Sequence, residues 1–453
     1  MDHYGLISLI PTIVVILLAL WSKKTFEALF GGSLVGFIIL AKQGFFTGFT
    51  TSLLGVMSDP TIGWVILVCG LFGSLIHLLV TSGGATAFAD YLLRYVKNRK
   101  SALLVTWLLG LSIFIDDYLN ALTVGSSMKK VTDKFKVPRE MLAYIVDSTA
   151  APICVLIPLS TWAIYIAGLL ESEGVVAQGA GLQGYLQAIP FIAYGWVAAL
   201  IVPFVAIGWI PALGAMKKAE QRVQAGGPLM PSNSEAIALN LPETSNTRAP
   251  KIMHFVLPIL VLIGATVFFE IDALKGVMTA IAFTIVYFLF QRVLSFNETL
   301  VGVFDGFKTM IYALAIVVMS FVLKDVNDQL GLTSFIIESV SPWMNRALLP
   351  VIAFISLAMV TFATGSFWGV YAISLPIIIP LAREIEVNIW LAIGAVISAG
   401  AFGSHACFYG DATVLSSSAT DCNNMAHVMT QLPYTLLAGL GASVIYLVLG
   451  YVM

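Results

Sequence analysis

Two adjacent carboxylates, Asp116 and Asp117, stand in the run Ile-Asp-Asp-Tyr-Leu-Asn at 115–120, closed by Asn120 and set in an apolar stretch. An ionisable side chain at membrane depth is costly and is generally kept for a purpose. Two readings are open. One carboxylate caps a helix while the other pairs with a lysine at the membrane edge, or both lie at the tip of a re-entrant hairpin and bind a transported ion or substrate. Three more clusters carry similar chemistry. Asp147, Ser148 and Thr149 precede Ala150-Ala151-Pro152, where Pro152 and Pro158 each remove a helical N–H and free carbonyls upstream. Thr361, Thr364, Gly365 and Ser366 precede Phe367 and Trp368. Ser398, Gly400, Gly403, Ser404, His405, Gly410, Asp411, Thr413, Ser416 and Ser417 form the fourth.

Carboxylate, hydroxyl and backbone oxygens suit a hard cation. Carbonyls freed in an unwound helix are ready Na⁺ ligands, and an exposed helix N-terminus attracts a carboxylate. Asp116, Asp117 and Asp147 are therefore the candidate Na⁺ ligands. His405 could titrate near neutral pH, or be a hydrogen-bonded core histidine. Asp147 could simply cap the broken helix, and the hydroxyls could bond back to their own helices. His405 and His427 with Asp411 lack the short ligand pair of a zinc site. No Walker A sequence, nucleophile elbow or dinucleotide fingerprint appears, so neither ATP drive nor covalent catalysis is supported, and no cofactor is expected beyond Na⁺ or H⁺ as coupling ions.

The elements that must position these residues are membrane helices. Of 453 residues, 59% are hydrophobic and only 11% charged, with mean hydropathy +0.94. A soluble domain carries about 25% charged residues, and apolar runs near 20 residues recur along the whole chain. The fold class is all-α polytopic, with the lipid bilayer as partner and no basic tail for nucleic acid. Cys69, Cys154, Cys407 and Cys422 lack paired spacing and read as reduced packing residues. Tyr4–Leu20 has no charged n-region or cleavage site and reads as a first helix.

Helices are expected near 5–21, 25–41, 61–80, 185–210, 255–271, 274–294, 304–323 and 431–451, with broken segments at 141–169 and 388–420. The polar stretch 211–254, rich in Gly, Pro and Lys, reads as a cytoplasmic linker between a first transmembrane repeat (1–210) and a second (255–453). Grouping cations by side puts 18 of the 23 Lys and Arg, from Lys23 and Lys24 to Lys308, on the linker side, which should be cytoplasmic, with both termini opposite. Basic clusters at 94–100 and 129–139 flank 101–128. If both are cytoplasmic, those residues must enter and leave on one side, as a hairpin with Asp116 and Asp117 near its tip. Ser101-Ala102-Leu103-Leu104 has a counterpart in Arg346-Ala347-Leu348-Leu349, which opens a second hairpin at 346–381. Each half then holds five crossings and one hairpin. Ten crossings in inverted five-helix repeats should place the site near the midplane, between broken helices.

At three places the chain resembles the NhaC-type Na⁺/H⁺ antiporters: Ile115–Asp133, Arg139–Trp162 and Phe402–Tyr434, the last holding His405, Asp411, Thr413 and Thr430-Gln431-Leu432-Pro433-Tyr434. The resemblance implies a multi-pass protein of the bacterial cytoplasmic membrane, dimeric, performing cation-coupled secondary transport. Ser404 stands where the family pattern has a carboxylate, and Phe408-Tyr409 where it has a proline-containing turn. A lost carboxylate should weaken a dedicated cation site, and two added aromatics suit an organic ligand. The resemblance thus also implies an alternative, Na⁺- or H⁺-coupled transport of a small organic acid (malate or lactate) or an amino acid.

Overall fold

The computed structural model describes residues 3–22, 24–234 and 251–453. Lys23 and 235–250 of the expected linker lie outside these. All regular structure among the described residues is helical. Six helices are long and apolar enough to cross a membrane, or up to eight if each of two bent pairs is one span. The bent pairs are Gly181–Phe191 with Ala193–Ile207, at 57°, and Phe296–Thr309 with Ile311–Gln329, at 41°. The helix expected at 304–323 runs straight through the second bend, because hydropathy does not change at Met310. A helix at Phe45–Ser58 was not expected from its glycines and threonines. It packs back on its predecessor, Phe49 meeting Phe37 and Phe30 edge-on.

Both segments read as hairpins are divided near their middles, by different devices. The first comprises Arg99–Ser112 and Asp117–Lys134, longer than 101–128 because Lys129, Lys130 and Lys134 continue the second helix; lysine is a good helix former. Asn98 and Ser101 form a capping box at its start, and Asp116 caps the second helix through Oδ1, which accepts from Leu119 N at 3.0 Å. Such a cap contributes about 1 kcal/mol. The second segment comprises Leu349–Thr364 and Phe367–Glu384, separated by Gly365 at φ +68° and extended Ser366. That left-handed conformation is open to glycine without a Cβ penalty.

The segments expected to be broken helices are broken. Arg139–Thr149 gives way to a single turn at Ala151–Cys154 and resumes at Thr161–Ser172; Ile389–Ala406 stops before Asp411–Ala419. Each break is tied to its hairpin-like neighbour in the same way. Cys154 Sγ donates to Phe114 O at 3.2 Å, and Cys407 Sγ to Phe362 O at 3.2 Å. All four cysteines are free and buried.

Contacts at the chain ends order the molecule along one axis. Asn423, before the 29-residue helix Asn424–Val452, donates its side-chain amide to Asn233 O. At the far end Met453 O accepts from Arg346. At 1.5 Å per residue this helix is about 43 Å long, enough to traverse a bilayer. The chain start lies at the Met453 end: Tyr4 N donates to Leu330 O, and His3 pairs with Glu338. Both boundaries of the first divided segment touch one amphipathic helix of the linker, Gly214–Gln224. Arg99 pairs with Glu220, and Glu140, just past the segment, pairs with Arg222. The second segment begins at the opposite end, where Arg346 meets Met453.

Two large apolar cores meet between these segments. One includes Tyr118, Leu119, Cys407, Tyr409, Val414 and Leu415; the other includes Ala151, Cys154, Trp162, Phe367, Tyr371 and Ile393.

Candidate functional site

The polar clusters lie along the seam of the two cores, and Asp116, Asp117, Asn120, Asp147, Ser148, Thr149, Thr364, Ser366, Ser404, His405, Asp411 and Thr413 are all buried. They sort into two groups.

The first group sits at the break of the first divided segment. Asp116 uses both oxygens: Oδ1 caps Leu119, and Oδ2 accepts from Thr161 Oγ1 at 3.1 Å. The capping reading of one carboxylate thus holds for Asp116. It does not extend to Asp117, which has no lysine partner among the described residues; its Oδ2 makes no hydrogen bond of good geometry there, and the Trp162 indole N–H, itself otherwise unpartnered, lies beside it. Tyr118 donates to Asp411 Oδ2 at 2.5 Å, bringing the second half's carboxylate to the first half's pair. Asp411 Oδ1 accepts from Ala412 N. Cys69 completes the surroundings, within electrostatic range of Asp116, Asp117 and Asp411. Asn120 ties elements together: its amide nitrogen lies 2.7 Å from Gly110 O, 2.8 Å from Ile113 O and 2.8 Å from Thr149 O. Only its Oδ1 is left without a partner.

The second group surrounds Asp147, at the end of Arg139–Thr149. Its Oδ2 accepts from Gln431 Nε2 at 2.7 Å, Thr413 Oγ1 at 3.1 Å and His427 Nε2 at 3.1 Å, whereas Oδ1 is buried without a partner. Asp147 is therefore an acceptor hub rather than a plain helix cap. His405 is held on both ring nitrogens, Nε2 at 3.0 Å from Ser148 Oγ and Nδ1 at 2.7 Å from Tyr194 OH. Its carbonyl also accepts from Gln431. Ser404 contributes its carbonyl to Thr413 Oγ1 at 3.0 Å, and its own hydroxyl is unpartnered. Thr149 bonds back to Ile145 O and Val146 O and abuts Gly110, so its hydroxyl serves packing.

Asp411 joins the groups, lying within electrostatic range of Asp116, Asp117 and Asp147. No described hydrogen bond links Asp147 to Asp116 or Asp117, and among the described residues no cluster of three or more His, Cys, Asp or Glu could hold a metal ion. A cation held here would draw on hydroxyl and backbone oxygens as well as carboxylates, as Na⁺ does.

The break of the second divided segment reaches the site through aromatic neighbours. Phe367 stacks on Trp162 with ring centroids 3.5 Å apart. Thr364 Oγ1 donates to Ser366 O at 3.2 Å, and Ser366 Oγ has no partner. A Cβ on Gly365 would stand 2.6 Å from the Tyr409 ring, and Tyr409 OH donates to Ala363 O at 2.8 Å. The two aromatics that stand in place of the family's turn both have protein contacts here. Phe408 packs edge-on against Phe362 and Tyr409 braces the Gly365 turn.

Sequence reasoning did not select Tyr118, Thr161, Tyr194 and Gln431, and took His427 only as a rejected zinc ligand. His427 and Gln431 carried a readable signal: two polar side chains four apart share a helix face, and this helix is otherwise largely apolar. Tyr194 and Thr161 carried none, since each meets the site from a separate element.

The Na⁺/H⁺ antiporter family matches residues 176–451. A protein of Haemophilus influenzae (strain ATCC 51907 / DSM 11121 / KW20 / Rd), described as uncharacterized, is 30% identical over 483 aligned residues, covering 98% of this chain and 91% of the relative. A solved structure of the Alcanivorax borkumensis YdaH transporter is similar at 12% identity and TM-score 0.41, over 97% of this chain and 98% of that one. The chain belongs to the Na⁺/H⁺ antiporter family. It is a multi-pass integral membrane protein of a transporter family, not an enzyme family.

Proposed function

We propose that this member of the Na⁺/H⁺ antiporter family exchanges Na⁺ for H⁺ across the bacterial cytoplasmic membrane as a secondary active transporter. In this reading the divided segments are re-entrant hairpins in a ten-crossing, inverted-repeat fold. The first enters from the linker side, because both its boundaries meet the linker helix. The second enters from the opposite side, where Arg346 meets Met453.

The observation that carries the proposal is a set of buried oxygens without protein partners along the seam: Asp117 Oδ2, Asp147 Oδ1, Ser404 Oγ and Ser366 Oγ. Leaving such a group unsatisfied costs roughly 1–3 kcal/mol each, more when charged. Buried carboxylates gathered in this way need their charge compensated. Sodium on these oxygens or protons on the carboxylates each does so, and the two exclude one another, which is the basis of exchange. Asp117 and Asp147 would hold the cation or proton, Asp116 and Asp411 would fix the local field, and Ser366 and Ser404 would add neutral ligands.

One observation favours the runner-up, coupled transport of a small organic acid or amino acid: Ser404 offers a neutral hydroxyl where a carboxylate was expected. Purified protein in proteoliposomes separates the two. An outward Na⁺ gradient should acidify the lumen with no organic solute present. Flux that appears only when one labelled carboxylate or amino acid is added would sink Na⁺/H⁺ exchange and establish the alternative.

A further inference from the structure

The linker, expected to join the two halves, is fastened to the start of the first divided segment, to the helix that carries Asp147 and to the C-terminal helix. Its helix Gly214–Gln224 meets the first divided segment through Glu220 and Arg99. Arg222 grips Glu140 with both terminal guanidinium nitrogens, at 2.8 and 2.9 Å, and its Nε and Nη2 also donate to Pro228 O and Leu229 O. Arg139 N donates to Leu229 O. The linker also brackets the C-terminal helix around His427 and Gln431. On one side Tyr434 OH accepts from Leu213 N; on the other Asn423 N donates to Ser234 Oγ and its side chain to Asn233 O.

Glu140 is buried, its side chain 3% exposed. It lies seven residues before Asp147, two helical turns along the same face and about 10 Å away. A shift of Glu140 would be carried along this helix to Asp147. We infer that residues 211–234 form a clamp that moves with the site-bearing helices, and that Arg222 is a positioning residue that, through Glu140, sets where Asp147 stands. The inference rests on the proposed role of Asp147 as a cation ligand.

The test is Na⁺-driven H⁺ exchange in proteoliposomes made from the full chain, read as KM for Na⁺ and kcat separately. Arg222→Gln should raise KM about tenfold, equivalent to roughly 1.4 kcal/mol of lost positioning, with little change in kcat. Arg222→Lys should recover part of the loss. An unchanged KM in folded Arg222→Gln protein, or a fall in kcat alone that lysine does not rescue, overturns the inference. A second measurement decides if the variants do not fold. Asn233→Cys with Asn423→Cys, joined by a short bifunctional thiol reagent, should leave exchange intact; arrest on cross-linking overturns the clamp. Asp147→Asn run alongside separates the two claims, because normal exchange in that variant removes the cation site and leaves the cross-link to judge the clamp.

Discussion

The breaks at Asp116 and at Gly365 occupy matching places in the two halves yet are made from different materials. At the first, a carboxylate caps the second helix and a second carboxylate is left over. At the second, a left-handed glycine turns the chain and an aromatic ring wedges it. Each break is bonded to a neighbouring broken helix in the same way, Cys154 to Phe114 and Cys407 to Phe362. What differs is the load. The first break carries charge and the second carries shape.

Substitutions should expose that division. The largest effect is expected at the charged break. Asp117→Asn and Asp147→Asn should each remove coupled flux, a fall of at least about a hundredfold, as is common when a group acting directly on the transferred species is lost. Proteoliposome exchange measures it, and normal exchange in both would dismantle the contrast. Gly365→Ala should come next, acting through shape. The positive φ costs about 1–2 kcal/mol, and the new Cβ meets the Tyr409 ring at 2.6 Å. Thermal stability in detergent should drop together with turnover, and full stability would mean that the turn is not glycine-dependent.

Tyr118→Phe removes the donor to Asp411 while keeping the ring. A hydrogen bond to a charged group contributes about 1.5–3 kcal/mol, so Na⁺ affinity should shift by roughly tenfold or more, readable in the Na⁺ dependence of exchange. The smallest and most discriminating change is Ser366→Ala. Its hydroxyl has no protein partner, so stability should stay within about 0.5 kcal/mol. A weakened KM for Na⁺ with unchanged melting temperature would show that the second break supplies a ligand after all; an unchanged KM would confine it to shape.

Much of this organisation is legible in the chain. Hydropathy places most of the helices, and the small and polar residues around Asp116, Pro152, Gly365 and Gly403 mark where they stop. The Phe45–Ser58 helix and the bend at Met310 were not legible, because one lacks hydropathy contrast and the other lacks a helix breaker. Nor was the order within the linker, where polar composition alone suggested a tether while buried Glu140 made Arg222 a fixed contact.

The sequence by itself determined that this is a helical membrane protein, where the helices beside its charged and hydroxyl-rich clusters break, and which residues bring costly charge into the apolar interior. These are local properties of composition and backbone chemistry. Only the tertiary structure decided what each charge faces. It set Tyr118 on Asp411 and gathered Thr413, His427 and Gln431 on one oxygen of Asp147 while leaving the other unpartnered. It also set Tyr409 against the Gly365 turn, where its hydroxyl donates to Ala363 O. Those pairings join residues more than 260 positions apart for Asp147, and spacing along the chain holds no record of which distant side chain will satisfy a buried acceptor.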